Sequence, residues 1–175
     1  RAFTYFLSRH SRASIRSSVD CTLLFCPAYI NERKRLMAKV QILAVLTMDG
    51  CLSELESSGT SDTYGIEAIR EKTYFKVTPE YSISMLAKWR GQEDGVIYLA
   101  EATPRTADFI NGMLRMRVVD EIILYTLPQI AGTGRHFFQS ALPIDEWKLV
   151  EHKLYDGGVV FTVYRTEWKP TVFIK

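Results

Sequence analysis

Apolar and polar positions change their period several times along this chain, and each change marks an element. Val40 to Met48 is apolar and β-branched, bounded by Lys39 and by Asp49-Gly50. That pattern predicts a buried strand, central in a sheet and ending in a turn. From Ser53 to Thr63 the composition turns to Ser, Glu, Gly and Thr, and a loop of that length inside a domain predicts a flap over a cleft. Ser61, Asp62 or Thr63 can cap a helix running to about Lys72, with Ile66 and Ile69 facing inward. Thr73 to Thr78 alternates as a strand until Pro79 stops it. Ser82 then opens a second helix, with Ile83, Leu86 and Trp89 as its apolar stripe and Gly91 as its stop.

Val96 to Ala100 reads as another short strand. It leads into Ala100-Glu101-Ala102-Thr103-Pro104, where Thr103 suits an N-cap and Pro104 the first helical position. The predicted helix runs to about Met116, with Phe109, Ile110, Met113 and Leu114 on its apolar side. Asp120 to Leu127 returns as a strand, and Pro128 to Arg135, with Gly132-Thr133-Gly134, is a loop. Trp147 to Tyr155 and Val159 to Arg165 flank Asp156-Gly157-Gly158, which predicts a hairpin. Strands alternating with helices before a terminal hairpin predict a three-layer α/β fold, its central sheet mostly parallel with a C-terminal antiparallel pair.

The chain has 175 residues, 47% of them apolar, enough for one domain with a sizeable core. Val40 to Met48 falls far short of the ~20 apolar residues of a membrane-spanning helix. The net charge of +2 hides a division. Residues 1–36 hold seven Lys/Arg against two acids, and the other 139 hold fifteen against eighteen. The body, residues 37–175, is therefore a mildly acidic single domain, and a nucleic-acid partner is not expected. The basic leader, 1–36, fits a presequence, a peripheral helix, or upstream sequence read through before a natural start at Met37. The last is favoured, because Met37-Ala38-Lys39 leads straight into the first strand. Cys21, Cys26 and Cys51 are odd in number and lack metal-like spacing, which points to a reduced, cytoplasmic compartment and no metal site.

Candidate chemistry gathers at the strand ends. Thr47 and Asp49-Gly50 close the first strand, where a hydroxyl, a carboxylate and a turn backbone can meet a ligand or simply make the turn. Glu101 ends another strand just before a helix, as a ligand-facing or a solvated acid. Ala102, Thr103 and the amides after Pro104 suit an anion pocket or ordinary capping. Gly132-Thr133-Gly134 with Arg135-His136 suits a phosphate loop or plain loop chemistry. His136 and His152 have no partner spacing, Cys51 reads as packing, Asp120-Glu121 as structural, and Phe137, Phe138 and Trp147 as core or interface aromatics.

Four segments together resemble the reductase domain of riboflavin biosynthesis, the C-terminal part of bacterial deaminase-reductases in the dihydrofolate-reductase-like superfamily. They are Thr47-Met48-Asp49-Gly50, Glu101-Ala102-Thr103-Pro104, Val118-Val119-Asp120-Glu121, and Pro128 through Gly132-Thr133-Gly134 to Phe137-Phe138, within residues 38–165. The resemblance implies a homodimeric reductase passing hydride from NADPH to a pyrimidine or pterin-like substrate, of the 5-amino-6-(5-phosphoribosylamino)uracil reductase or dihydrofolate reductase type. It places Thr47, Asp49 and Glu101 around substrate, and Gly50, Ala102, Thr103, Pro104, Gly132, Thr133 and Gly134 around cofactor. Where the family carries a double glycine this chain has Ala102-Thr103, and the stretch before Thr73 is short. These departures support an alternative: a non-catalytic relic of the reductase fold that binds a small ligand or dimerises.

Overall fold

The computed structural model describes residues 37–53, 64–90, 92, 94–139 and 141–167. The leader, the centre of the expected flap, the expected caps at 61–63 and the stop at Gly91 lie outside the described residues. The strands are β1 (Lys39–Thr47), β2 (Phe75–Val77), β3 (Ile97–Ala102), β4 (Glu121–Leu127), β5 (Trp147–Leu154) and β6 (Val160–Thr166), in the order β2-β3-β1-β4-β6-β5. β2, β3, β1 and β4 are parallel, whereas β6 runs antiparallel to both β4 and β5.

β1 sits in the middle because its residues are apolar on both sides of the pleat. Val40, Ile42, Ala44 and Leu46 face one layer, with Leu86 of α2 (Ile83–Arg90) and Ile110 and Met113 of α3 (Ala107–Arg115). Leu43 and Val45 face the other, with Ile66 of α1 (Ile66–Glu71), Tyr125 and Phe161. Helices on both faces of a mostly parallel sheet closed by a hairpin are the expected three-layer architecture. Among the described residues no helix is long and apolar enough to cross a membrane.

Two boundaries differ from expectation at the end that matters. β3 continues through Glu101 and Ala102, and α3 begins at Ala107 after Thr106, not at Thr103-Pro104. Residues 103–106 instead form a turn, closed by the Thr106 N–H donating to the Thr103 carbonyl at 3.1 Å. Proline suits the second position of such a turn and the first of a helix equally, because both want its fixed φ. α1 likewise starts after Gly65, whose φ of 73° lies in the left-handed region, with no side-chain cap.

Asp120-Glu121 is structural, as expected. Asp120 accepts the Val40 N–H at 2.9 Å and pairs with Arg90, while its own N–H donates to the Val40 carbonyl. Glu121, 4% exposed, accepts Gln41 Nε2 at 2.6 Å, Lys39 Nζ at 3.1 Å and Arg165 Nε at 2.7 Å. Burial alone would raise its pKa, but these donors outweigh burial and hold it below the usual value. The stability it contributes is therefore present above the ordinary glutamate range and lost as pH falls through the lowered pKa. Glu121→Gln should cost about 1–3 kcal/mol in urea unfolding at pH 7. That deficit should vanish well below pH ~4.3; a deficit that persists in acid contradicts the assignment.

Candidate functional site

In parallel sheets ligands gather beyond the carboxyl ends of the strands, and here β1, β3 and β4 end on one rim. They do not end level. Thr47 pairs with Leu127, but Ala102 pairs with Ala44 and Glu101 with Leu43. Glu101 therefore lies four residues down the sheet from Thr47, roughly 13 Å at ~3.3 Å per residue. The expected site residues divide accordingly into two groups.

The first group is a polar knot. The Thr47 hydroxyl donates to Asp49 and accepts the Cys51 N–H at 3.2 Å. The Asp49 carboxylate also accepts the Ala131 N–H at 3.1 Å and the Gly132 N–H at 2.9 Å. Thr47 and the two loop amides hold its pKa far below the usual carboxylate range. Gly50, at φ 77°, makes the turn, its N–H donating to the Thr47 carbonyl and its carbonyl accepting the Phe137 N–H. Buried Asn111 clasps the same loop, donating to the Phe137 carbonyl at 2.9 Å and accepting the Gln139 N–H. Thr47, Asp49, Gly50 and Gly132 are thus engaged with one another, and Arg135 pairs with Asp108 at 2.8 Å. Cys51 is buried, 4.0 Å from the exposed His136 ring, with its thiol pKa raised by burial and by Asp49. His152 is exposed on β5, Phe137 is core, and Phe138 is 56% exposed. Among the described residues no cluster of His, Cys, Asp and Glu is arranged to hold a metal.

The second group forms a cleft of about 220 Å³, lined by Leu43, Val45, Ser53, Ile66, Arg70 and the 101–103 segment. Glu101 stands in it with its carboxylate gripped from one side. Arg70 donates to both oxygens, at 3.0 and 3.2 Å, and Lys76 lies 3.1 Å from Oε1. Burial would raise the Glu101 pKa, but Arg70 and Lys76 more than offset it, so the group is ionised. Arg70 is aimed by its own helix, where Glu67 pairs with it one turn earlier. The start of that helix is pinned by two hydroxyls, those of Tyr125 and Tyr155, which donate to the Tyr64 carbonyl at 3.0 and 2.8 Å. Ile66 faces inward as expected, whereas Arg70 and Lys76 escape sequence reasoning. Their only local signal is the Glu67–Arg70 spacing, which any exposed helix can show.

A dinucleotide diphosphate needs free amides or cations. On the 103–106 turn the Thr103 N–H donates to Thr106 Oγ1 at 2.9 Å, and the Thr106 hydroxyl donates to the Glu101 carbonyl at 2.8 Å. On the glycine loop, the Ala131 and Gly132 amides serve Asp49. Of the residues that the resemblance assigns to NADPH, Thr103 and Gly132 thus have their amides paired within the chain.

No family model and no curated protein matches the chain. Solved structures do. A protein from Shewanella sp. PV-4 assigned to riboflavin biosynthesis superposes with a TM-score of 0.50 at 12% identity, covering 74% of this chain and 99% of that one. RibD from Acinetobacter baumannii gives 0.51 at 13% identity over 75% of this chain. A diaminohydroxyphosphoribosylaminopyrimidine deaminase/5-amino-6-(5-phosphoribosylamino)uracil reductase from Thermotoga maritima gives 0.51 at 10% over 76%. The chain spans 59% and 58% of the length of the last two. The fold is thus the dihydrofolate-reductase-like fold of riboflavin-biosynthesis proteins.

Removing one cation tests the grip on Glu101. Arg70→Met should raise the Glu101 carboxyl pKa, read by carbon NMR across an acid titration. An unmoved titration would show that Arg70 does not hold the charge.

Proposed function

We propose that this chain binds a pyrimidine- or pterin-like heterocycle in the Glu101 cleft, as a ligand-binding member of the reductase fold. The observation that carries this is the pairing of apolar walls, Leu43, Val45 and Ile66, with an ionised carboxylate at one end. A flat ring loses little by leaving water for such walls, and its N–H or amino group needs an acceptor there. Glu101 keeps one: Oε1 serves both Arg70 and Lys76, whereas Oε2 serves Arg70 alone. The volume agrees. At about 220 Å³ the cleft falls below the ~300–1,000 Å³ that encloses a drug-sized molecule, so it suits one ring system. In this reading Glu101 contacts ligand, while Thr47 and Asp49 build the rim.

A second reading is reduction of that heterocycle with NADPH, which the fold favours. NADPH, when bound, supplies hydride. Such a reaction needs a diphosphate grip, and the Thr103, Ala131 and Gly132 amides are paired within the chain. Fold alone does not establish activity. We read the protein as cytoplasmic from its cysteine usage and as a homodimer from the resemblance.

Calorimetric titration of the full chain with pterin, uracil and NADPH separates the readings. The proposal expects one heterocycle to saturate, weakened about tenfold or more in Glu101→Gln through loss of a charged hydrogen bond, and no NADPH binding at ~1 mM. Micromolar NADPH binding favours the reductase, and failure of both heterocycles rejects the cleft.

A further inference from the structure

β5 is the last strand of the sheet, with β6 on one side and no strand among the described residues on the other. It is eight residues long, and Lys148 to Leu154 are all exposed. An edge of that length offers a row of backbone groups to another strand. Its hairpin fixes which groups those are. The Tyr155 N–H donates to the Val159 carbonyl at 2.9 Å, closing the turn. Antiparallel pairs alternate between bonded and open. Counting back through Leu154–Val160, Lys153–Phe161 and His152–Thr162, the N–H and C=O of Leu154 and His152 therefore point away from β6. Glu151 and Lys153 turn their backbone to β6 and their side chains to one face, the face of Val163 and Phe161. Lys153 Nζ is held there, 4.2 Å over the Tyr155 ring. The same hairpin gathers four exposed apolar side chains, Leu149, Val150, Leu154 and Val160.

From this edge we infer that the chain pairs with a second copy of itself, β5 against β5 in antiparallel, with His152 on the two-fold axis. Charge selects both the partner and the register. Glu151-His152-Lys153 is complementary to itself when reversed, so each Glu151 faces Lys153 of the other copy, and the pair occurs twice. Both pairs fall at open positions, where cross-strand side chains lie closest. Slipping by two residues, the smallest step that keeps the backbone bonds, sets Glu151 against Glu151 or Lys153 against Lys153. These charges and the bulge between Leu149 and Glu151 turn unrelated strands away. Two six-stranded sheets become one, and the Glu101 cleft, on β1 and β3, stays clear because β4 and β6 separate it from the edge. The inference rests on the homodimer reading above, to which it gives a surface, and is independent of the heterocycle.

Sedimentation equilibrium on the full chain tests this, with the melting temperature of every variant recorded on the same sample. Wild type should be a dimer. Glu151→Lys and Lys153→Glu each set two like-charge pairs across the axis and should weaken that dimer about tenfold or more. The double variant, Glu151→Lys with Lys153→Glu, reverses the pattern without losing its complementarity and should restore it. Monomeric wild type rejects the homodimer reading and this inference together. A dimer that folded single variants leave unchanged, or that the double variant does not restore, overturns the β5 surface and leaves the homodimer reading standing. Hydrogen exchange on wild type needs no substitution. The His152 and Leu154 amides should exchange slowly in the dimer, and fast exchange there overturns the inference whatever the variants do.

Discussion

A strand buried on both faces has no water to satisfy its backbone, so every N–H and C=O must find a neighbour. β1 meets that constraint by pairing in parallel with β3 along one edge and β4 along the other. The hydrophobicity of Val40 to Leu46 puts it at the centre. Its two ladders then set where β3 and β4 end, because register along a strand with buried faces cannot slip by one residue without turning its side chains inside out. The offset between Thr47–Leu127 and Ala44–Ala102 follows, and with it the division of the rim into a knot and a cleft.

Beyond the strand ends the same accounting continues with side chains. Asp49 satisfies the loop after β4, Asn111 fastens that loop to α3, and Thr103 and Thr106 satisfy each other. Each arrangement resembles a binding device turned inward. Charges behave alike: Glu101 is ionised because Arg70 and Lys76 face it, and those cations are neutralised by doing so. What the cleft presents is apolar wall beside the ionised Glu101 carboxylate. The architecture is shared with riboflavin-biosynthesis proteins, yet function resides in the site that a fold carries.

Much of the architecture was legible in the residues themselves. The buried strand from Val40, the hairpin at Asp156-Gly157-Gly158 and the apolar stripe of Ile110, Met113 and Leu114 express period and turn chemistry, which are local properties. The start of α3 was ambiguous for an equally local reason: Thr-Pro opens a turn as readily as a helix, and only the Thr103–Thr106 pairing decides.

By itself the sequence determined the element types, their order and the alternation that makes β1 central, because periodicity and propensity act over a few residues. Tertiary structure decided which polar groups meet. Asp49 and Gly132 lie 83 positions apart, and Arg70 and Glu101 lie 31 apart. A carboxylate's role depends on the donors that folding brings to it, and no local pattern around Asp49 or Glu101 carries that information. Two acids that look alike in the chain thus part company in the fold, Asp49 closing a loop and Glu101 opening onto a cleft.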